Sequence, residues 1–410
     1  MAENFITNIL IENSRNVKDL EIPLSNDNRQ HLILTGKNGS GKTSLLLEIN
    51  KYLTQIDNGG YQHFENQKRF LANIEAQLLM PSISDDNKLR LNRDLEQTKV
   101  WFQQFGGAKI KFSGLTQSVS EMALKGDFLL AFFDSKRHSY LDVPVGINKV
   151  YLRKKYQLTE KANSVFIQYI VNLKADRSFA RDDNEEDAVK KIDDWFEKLE
   201  ERLKQIFDVE NLELRFDRKT YNFDIIVDDR VPFNFNNLSD GYSAIISIVS
   251  ELLLRMEAHE VDSYDLEGIV IIDEIETHLH VDLQKKILPF LTDFFPRIQF
   301  IVTTHSPFVL SSLSNATICD LETRIVTTDL SSYSYDALLE SYFRTDKYSD
   351  EIKKKIGDFD NLTSLSEKTP EQTEQIRYLR NYFAHAPKYL SAELMVKLQQ
   401  IELNELNNKS

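Results

Sequence analysis

Apolar runs and helical-period stripes alternate along this chain, and their order predicts its architecture. Residues 5–11 alternate weakly, turn through a polar stretch at 12–16, and return as an apolar run at 20–24, the pattern of two paired strands. Residues 31–35 (His-Leu-Ile-Leu-Thr) form a continuous apolar run, as in a strand buried on both faces. Residues 44–53 then place apolar side chains at helical spacing. After Asn58-Gly59-Gly60 the pattern becomes mostly helical and less regular up to about Phe207, with one buried strand at 126–133 that ends in polar residues 134–137. Two helical stretches flank the acidic residues 182–186. The second carries Ala188, Ile192, Trp195, Phe196, Leu199, Leu203 and Ile206 on one face, a stripe expected to pack on the core. A hairpin follows at 212–216 and 223–227, then a helix starting near Ser239, a continuous apolar strand at 268–272 and another at 298–304. From about Tyr333 the chain reads as charged and helical, and its last run places Leu394, Leu398 and Ile401 on one face.

Composition narrows the picture modestly. The length of 410 residues suggests two to three domains. A formal charge of −14 argues against a surface that is basic all over, so DNA is a partner only through a local groove. The single cysteine, Cys319, can make no intramolecular disulfide, which fits a reducing compartment. No basic, apolar leader opens the chain, and no window approaches the roughly 18 apolar residues of a membrane span. A cytoplasmic protein without membrane contact is expected.

The chemistry concentrates at strand ends. Gly36, Asn38, Gly39, Ser40, Gly41, Lys42, Thr43 and Ser44 lie between the apolar strand and its helix, the context that makes a glycine-rich loop a phosphate cradle. Lys42 would reach the β- and γ-phosphates of ATP, and the Thr43 hydroxyl would hold Mg²⁺. Ser239, Asp240 and Gly241 open a later helix, either as an anion-binding end or as a simple cap. The strand at 268–272 runs into Asp273, suited to an outer-shell Mg²⁺ position, and Glu274, suited to polarise an attacking water. His305 ends the next strand, where a γ-phosphate sensor would stand. His278 and His280 stand two apart with no thiol nearby, which does not suit a metal site. Arg137, at the end of the 126–133 strand, is a candidate site or relay residue, or an ordinary loop arginine. Asn13, Ser14 and Arg15 could approach the adenine or ribose, or serve only as turn residues. In the tail, Arg380-Asn381 and His385 fit an RNxxxH pattern.

In this order the motifs at Gly36 to Thr43, Leu238 to Gly241, Ile269 to Glu274 and His305 resemble the Walker A, signature, Walker B and switch histidine of an ABC-type ATPase head. The resemblance is to the SMC, RecF and OLD-like kind and covers residues 1–57 and about 210–330. It implies an α/β P-loop NTPase fold, with a helical insertion and a helical C-terminal tail. The expected parts are an N-terminal head lobe at 1–57, a mainly helical insertion at 58–207, a second head lobe at 208–332 and a tail at 333–410. It further implies a head-to-head dimer, or a higher oligomer, with ATP and Mg²⁺ at each interface. Ser239, Asp240 and Gly241 of one copy would contact the nucleotide held by Lys42 of the other. Glu274 would be the hydrolytic base, and residues 275–279 a dimer-contact loop. The signature LSDGYSA departs from the LSGGQ of transporters, the glutamine loop is unassigned, and the insertion is too short for a long coiled coil. Those features are similar to ATPase subunits of prokaryotic anti-phage systems such as Septu, PARIS and retrons, which imply a separate effector such as a nuclease. A RecF-like DNA-binding ATPase is the alternative. A third reading takes Arg380 and His385 as a HEPN-like RNase site, against which stand the short tail and the helix-stopping Pro387.

Overall fold

The computed structural model describes residues 3–80, 83–137, 141–259, 265–335, 337–338, 350–365, 368–384 and 399. The chain divides into two compact units, Met1–Tyr335 and Asp336–Ser410.

The first unit begins with β1 (Ile6–Asn13), β2 (Lys18–Pro23) and β3 (His31–Thr35), followed by α1 (Lys42–Asp57). A helical hairpin, α2 (Phe64–Leu78) and α3 (Asp85–Gln103), leads to β4 (Ala108–Phe112), α4 (Thr116–Lys125) and β5 (Leu129–Phe133). Helices α5 (Phe166–Asp182) and α6 (Glu186–Phe207) precede β6 (Leu212–Asp217), β7 (Asn222–Val227) and β8 (Phe233–Asn234). Then come α7 (Asp240–Glu257), β9 (Gly268–Ile272), α8 (Val281–Phe294), β10 (Ile298–Thr303), α9 (Pro307–Leu310), β11 (Ala316–Asp320) and β12 (Ile325–Thr328).

A six-stranded sheet in the order β12-β11-β3-β10-β9-β5 forms the centre. Its pairs are parallel except β11 with β12. Every residue of β3, β9, β10 and β11 is buried, as expected for parallel strands covered on both faces. Leu45, Leu46, Ile49, Leu53 and Ile56 of α1 pack in one core with Leu32 and Leu34 of β3 and with Ile9, Ile11 and Ile110. Those last three belong to a second, antiparallel sheet ordered β2-β1-β4.

Strand β4 differs from the expectation for residues 58–207, which allowed a single strand there. Ala108, Ile110 and Phe112 are buried while Lys109 and Lys111 are exposed, a two-residue period that pairs with β1 and completes the N-terminal layer. Apart from half-buried Ala188, the apolar stripe of α6 is buried within this unit, with Trp195 fully enclosed and its indole N–H donating to Glu257 Oε1 at 2.6 Å.

The second unit contains α10 (Asp350–Thr363) and α11 (Pro370–Ala384), whose Phe359, Ile376, Leu379 and Phe383 form a small core. His385, Pro387 and most of the run from 393 to 406 lie outside the described residues.

Candidate functional site

The loop from 36 to 41 leaves the carboxyl end of β3 and enters α1, so its backbone must turn sharply against a buried strand. Gly36, Gly39 and Gly41 take positive φ values of 136°, 82° and 102°, which side chains of L residues disfavour. Lys42 is buried, and its ammonium donates to the carbonyls of Gly36 (2.8 Å) and Lys37 (3.1 Å). Burial pushes its proton affinity down, while Glu274, Glu276, Asp273 and Asp320 pull the other way.

Asp273 and Glu274 follow β9, and His305 follows β10, so Lys42, both carboxylates and the histidine share the carboxyl ends of three neighbouring strands. The Thr43 hydroxyl lies 3.1 Å from Asp273 Oδ2. Two hard oxygen donors side by side, next to a loop carrying the buried and unpartnered Ser40 hydroxyl, fit Mg²⁺ and a phosphate. Glu274 has φ +46°. Its N–H donates to the Thr303 hydroxyl at 2.7 Å, and that hydroxyl donates to Asp273 Oδ1 at 2.6 Å. Among the described residues, the Glu274 carboxylate accepts only a long contact of 3.4 Å from the Thr277 hydroxyl. His305 is half-buried, and burial and then Lys42 lower its proton affinity despite the nearby carboxylates, favouring the neutral ring.

Some of the remaining candidates are drawn in and others are not. Arg137 is buried, and its guanidinium donates to the carbonyls of Asp273 (2.7 Å) and Glu274 (2.6 Å). Arg15 is exposed on the turn between β1 and β2. It is the neighbouring Asn16 that reaches the loop, donating to Gly39 O at 2.8 Å. Ser239 occupies the N-cap position of α7, but its side chain makes no capping hydrogen bond. Ser239, Asp240 and Gly241 line a groove of about 580 Å³ with Arg230, His278, His280 and Lys286, and residues 36–44 are not part of its lining. Gly241 packs so closely there that a Cβ would come within 2.8 Å of His278 O. Arg380 is exposed on α11 in the second unit.

Reading motifs alone missed Asn16, Thr303 and Glu276. Glu276 accepts the His305 N–H at 2.5 Å and keeps a second, buried oxygen without a partner. Its spacing, two residues after Glu274, was the available signal. Among the described residues no helix is long and apolar enough to cross a membrane.

Residues 32–311 match the family described as "AAA domain, putative AbiEii toxin, Type IV TA system". A Septu protein PtuA from Bacillus mycoides (strain KBAB4) is 26% identical over 333 residues, which is 78% of this chain and 40% of that protein. This chain thus spans well under half the length of that relative. A retron Vc95 probable ATPase from Vibrio cholerae serotype O1 biovar El Tor is 23% identical over 442 residues, covering 87% of this chain and 83% of its own. A solved SMC head domain from Thermotoga maritima aligns over 77% of this chain and 94% of its own, with 12% identity and a TM-score of 0.35.

Proposed function

The chain belongs to this AAA-domain family, and from that premise we propose that it is an ATPase acting as a molecular switch in anti-phage defence. In this reading, heads pair face to face on ATP and the change is passed to a separate effector protein. The observation that carries it is the convergence of Lys42, Thr43, Asp273, Glu274 and His305 at adjacent strand ends. The placement of Ser239 and Gly241 in a separate groove supports their use by a second copy. The relatives named as Septu and retron proteins support the setting.

Lys42 exchanges its two carbonyl partners for phosphate oxygens, which the glycine backbone presents at the start of α1. Mg²⁺, held by Thr43 and Asp273, would neutralise charge on the β- and γ-phosphates. Glu274, with a lightly engaged carboxylate, orients a water and accepts its proton as that water attacks the γ-phosphate. His305 contributes a neutral imidazole, which can offer an N–H without adding charge beside Lys42. Closed and open states then differ by the contacts that the γ-phosphate makes and that the products lack.

The test uses Glu274→Gln, which keeps the shape but removes the base. Size-exclusion chromatography with light scattering should show an ATP-dependent dimer that Lys42→Ala does not form. A Glu274→Gln protein that stays monomeric with saturating ATP sinks the pairing, and hydrolysis that survives Lys42→Ala sinks the ATPase site.

A further inference from the structure

Arg137 stands outside every motif, yet it is the side chain that holds the main chain of both catalytic carboxylates. Two nitrogens of its guanidinium donate to successive carbonyls, Asp273 O at 2.7 Å and Glu274 O at 2.6 Å. Only a planar fork with several fixed donors matches two consecutive carbonyls in this way; a lysine ammonium is a single point. The pair of bonds closes on a residue that needs them. Glu274 has a left-handed φ of +46°, a conformation a glutamate leaves readily unless its surroundings hold it.

Stability alone gives a poor reason for this arginine. Arg137 is only 4% exposed, and its Nε is buried with no hydrogen-bond partner, a donor left unsatisfied. Its carrier segment is itself moored to α7, the helix that Ser239 opens. Arg255 of α7 donates to Leu130 O of β5 at 2.8 Å and to Glu251 at 2.7 Å. Glu251 in turn accepts the N–H groups of Ala162 (2.7 Å) and Asn163 (2.9 Å). Arg137 thus lies just beyond β5, a strand tied to α7 through Leu130, and reaches across to the strand end that bears the base.

We propose that Arg137 is a positioning residue for ATP hydrolysis, fixing the Asp273–Glu274 main chain so that the Glu274 carboxylate meets the attacking water. The proposal rests on the ATPase reading above. Misplacing a catalytic group by about 1 Å costs on the order of 10²-fold in rate while leaving substrate contacts intact.

The experiment compares wild type, Arg137→Ala and Arg137→Lys for binding of a fluorescent non-hydrolysable ATP analogue, single-turnover hydrolysis and thermal melting. Arg137→Ala should hydrolyse on the order of 10²-fold more slowly with nucleotide affinity within about 3-fold of wild type. Millimolar methylguanidinium should restore part of that rate. Arg137→Lys, with one donor point, should lose about 10-fold; it carries the test alone if the alanine variant does not fold. A variant that hydrolyses at the wild-type rate overturns the proposal. So does a loss of binding in proportion to the loss of hydrolysis, or a rate that methylguanidinium does not raise. Wild-type hydrolysis with an indifferent Arg137 removes only this proposal, whereas a wild type that does not hydrolyse ATP removes the ATPase reading and this proposal with it.

Discussion

Replacing Thr303 by valine tests whether the strand ends are wired as the geometry shows. The substitution keeps the branched shape and deletes one hydroxyl. That hydroxyl donates to Asp273 Oδ1 at 2.6 Å and accepts the Glu274 N–H at 2.7 Å, and Thr303 is fully buried. A hydrogen bond to a charged group contributes about 1.5–3 kcal/mol, and a buried N–H left without an acceptor costs about 1–3 kcal/mol. A buried methyl in place of the hydroxyl recovers roughly 1 kcal/mol. The expected net loss is therefore about 1.5–5 kcal/mol. Part of it falls on stability, and part on hydrolysis, because the freed Glu274 backbone can leave its left-handed conformation. Urea unfolding can be followed through tryptophan fluorescence, since Trp195 is enclosed in the same unit. Phosphate release at saturating ATP reports the site. Thr303→Val should lower the unfolding free energy by about 1.5 kcal/mol or more and the turnover by about 10-fold or more. Thr303→Ser, which keeps the hydroxyl, should stay within about 3-fold of wild type in turnover. A valine variant that matches wild type in both measurements would refute the wiring.

Two further outcomes follow from single positions. Gly36→Ala puts a Cβ 2.8 Å from the Ser40 hydroxyl at a φ of +136°, so ATP-analogue binding should weaken by about 10-fold or more while the melting temperature falls only slightly. His31 is buried, accepts the Phe300 N–H at 3.1 Å, and has its pKa pushed down to about 4, first by burial and then by Arg29. Below the ordinary value of 6.5 the unfolded chain takes up a proton that the folded one refuses, so stability should fall by roughly 3 kcal/mol as pH drops from 6.5 to about 4. Urea midpoints across that range should flatten in His31→Gln, and an unchanged slope counts against burial of the neutral ring.

Much of the site was legible because it is built from contiguous signals. Residues 31–43 contain strand, glycine turn and helix start together, and residues 268–274 contain an apolar strand with its two carboxylates. What stayed hidden depends on main-chain partners or on pairing at long range. Arg137 stood out as a candidate from its place at a strand end, but its partners did not: they are two carbonyls 136 and 137 positions away, and a carbonyl acceptor carries no residue-type mark. Asn16 likewise binds a glycine carbonyl. Strand β4 was concealed for another reason: its five residues lie between helical stretches, so their alternation was too short to stand out from the helical trend. The Ser239 groove was visible only as a helix start, since nothing local says that its hydroxyl leaves the helix uncapped.

In the proposed mechanism, holding the base is separate from using it. Lys42 and Thr43 already engage the protein's own oxygens through their side chains, so in that mechanism nucleotide binding exchanges one set of hydrogen bonds for another. Such an exchange lowers the net affinity gained per contact, but it meets side chains whose rotamers are already ordered. Glu274 is held in the opposite way. Its N–H is taken by Thr303 and its carbonyl by Arg137 and the Thr277 N–H, while among the described residues its carboxylate keeps only the long contact to Thr277. A base tied through its carboxylate would have to break those bonds before accepting a proton. A base tied through its main chain keeps its orientation while leaving its carboxylate oxygens available. Changes to the loop at 36–43 should therefore appear first in nucleotide affinity. Changes to the tethers Thr303 and Arg137 should appear first in turnover, and that split in kinetic behaviour is what distinguishes this wiring from a site held together by packing alone.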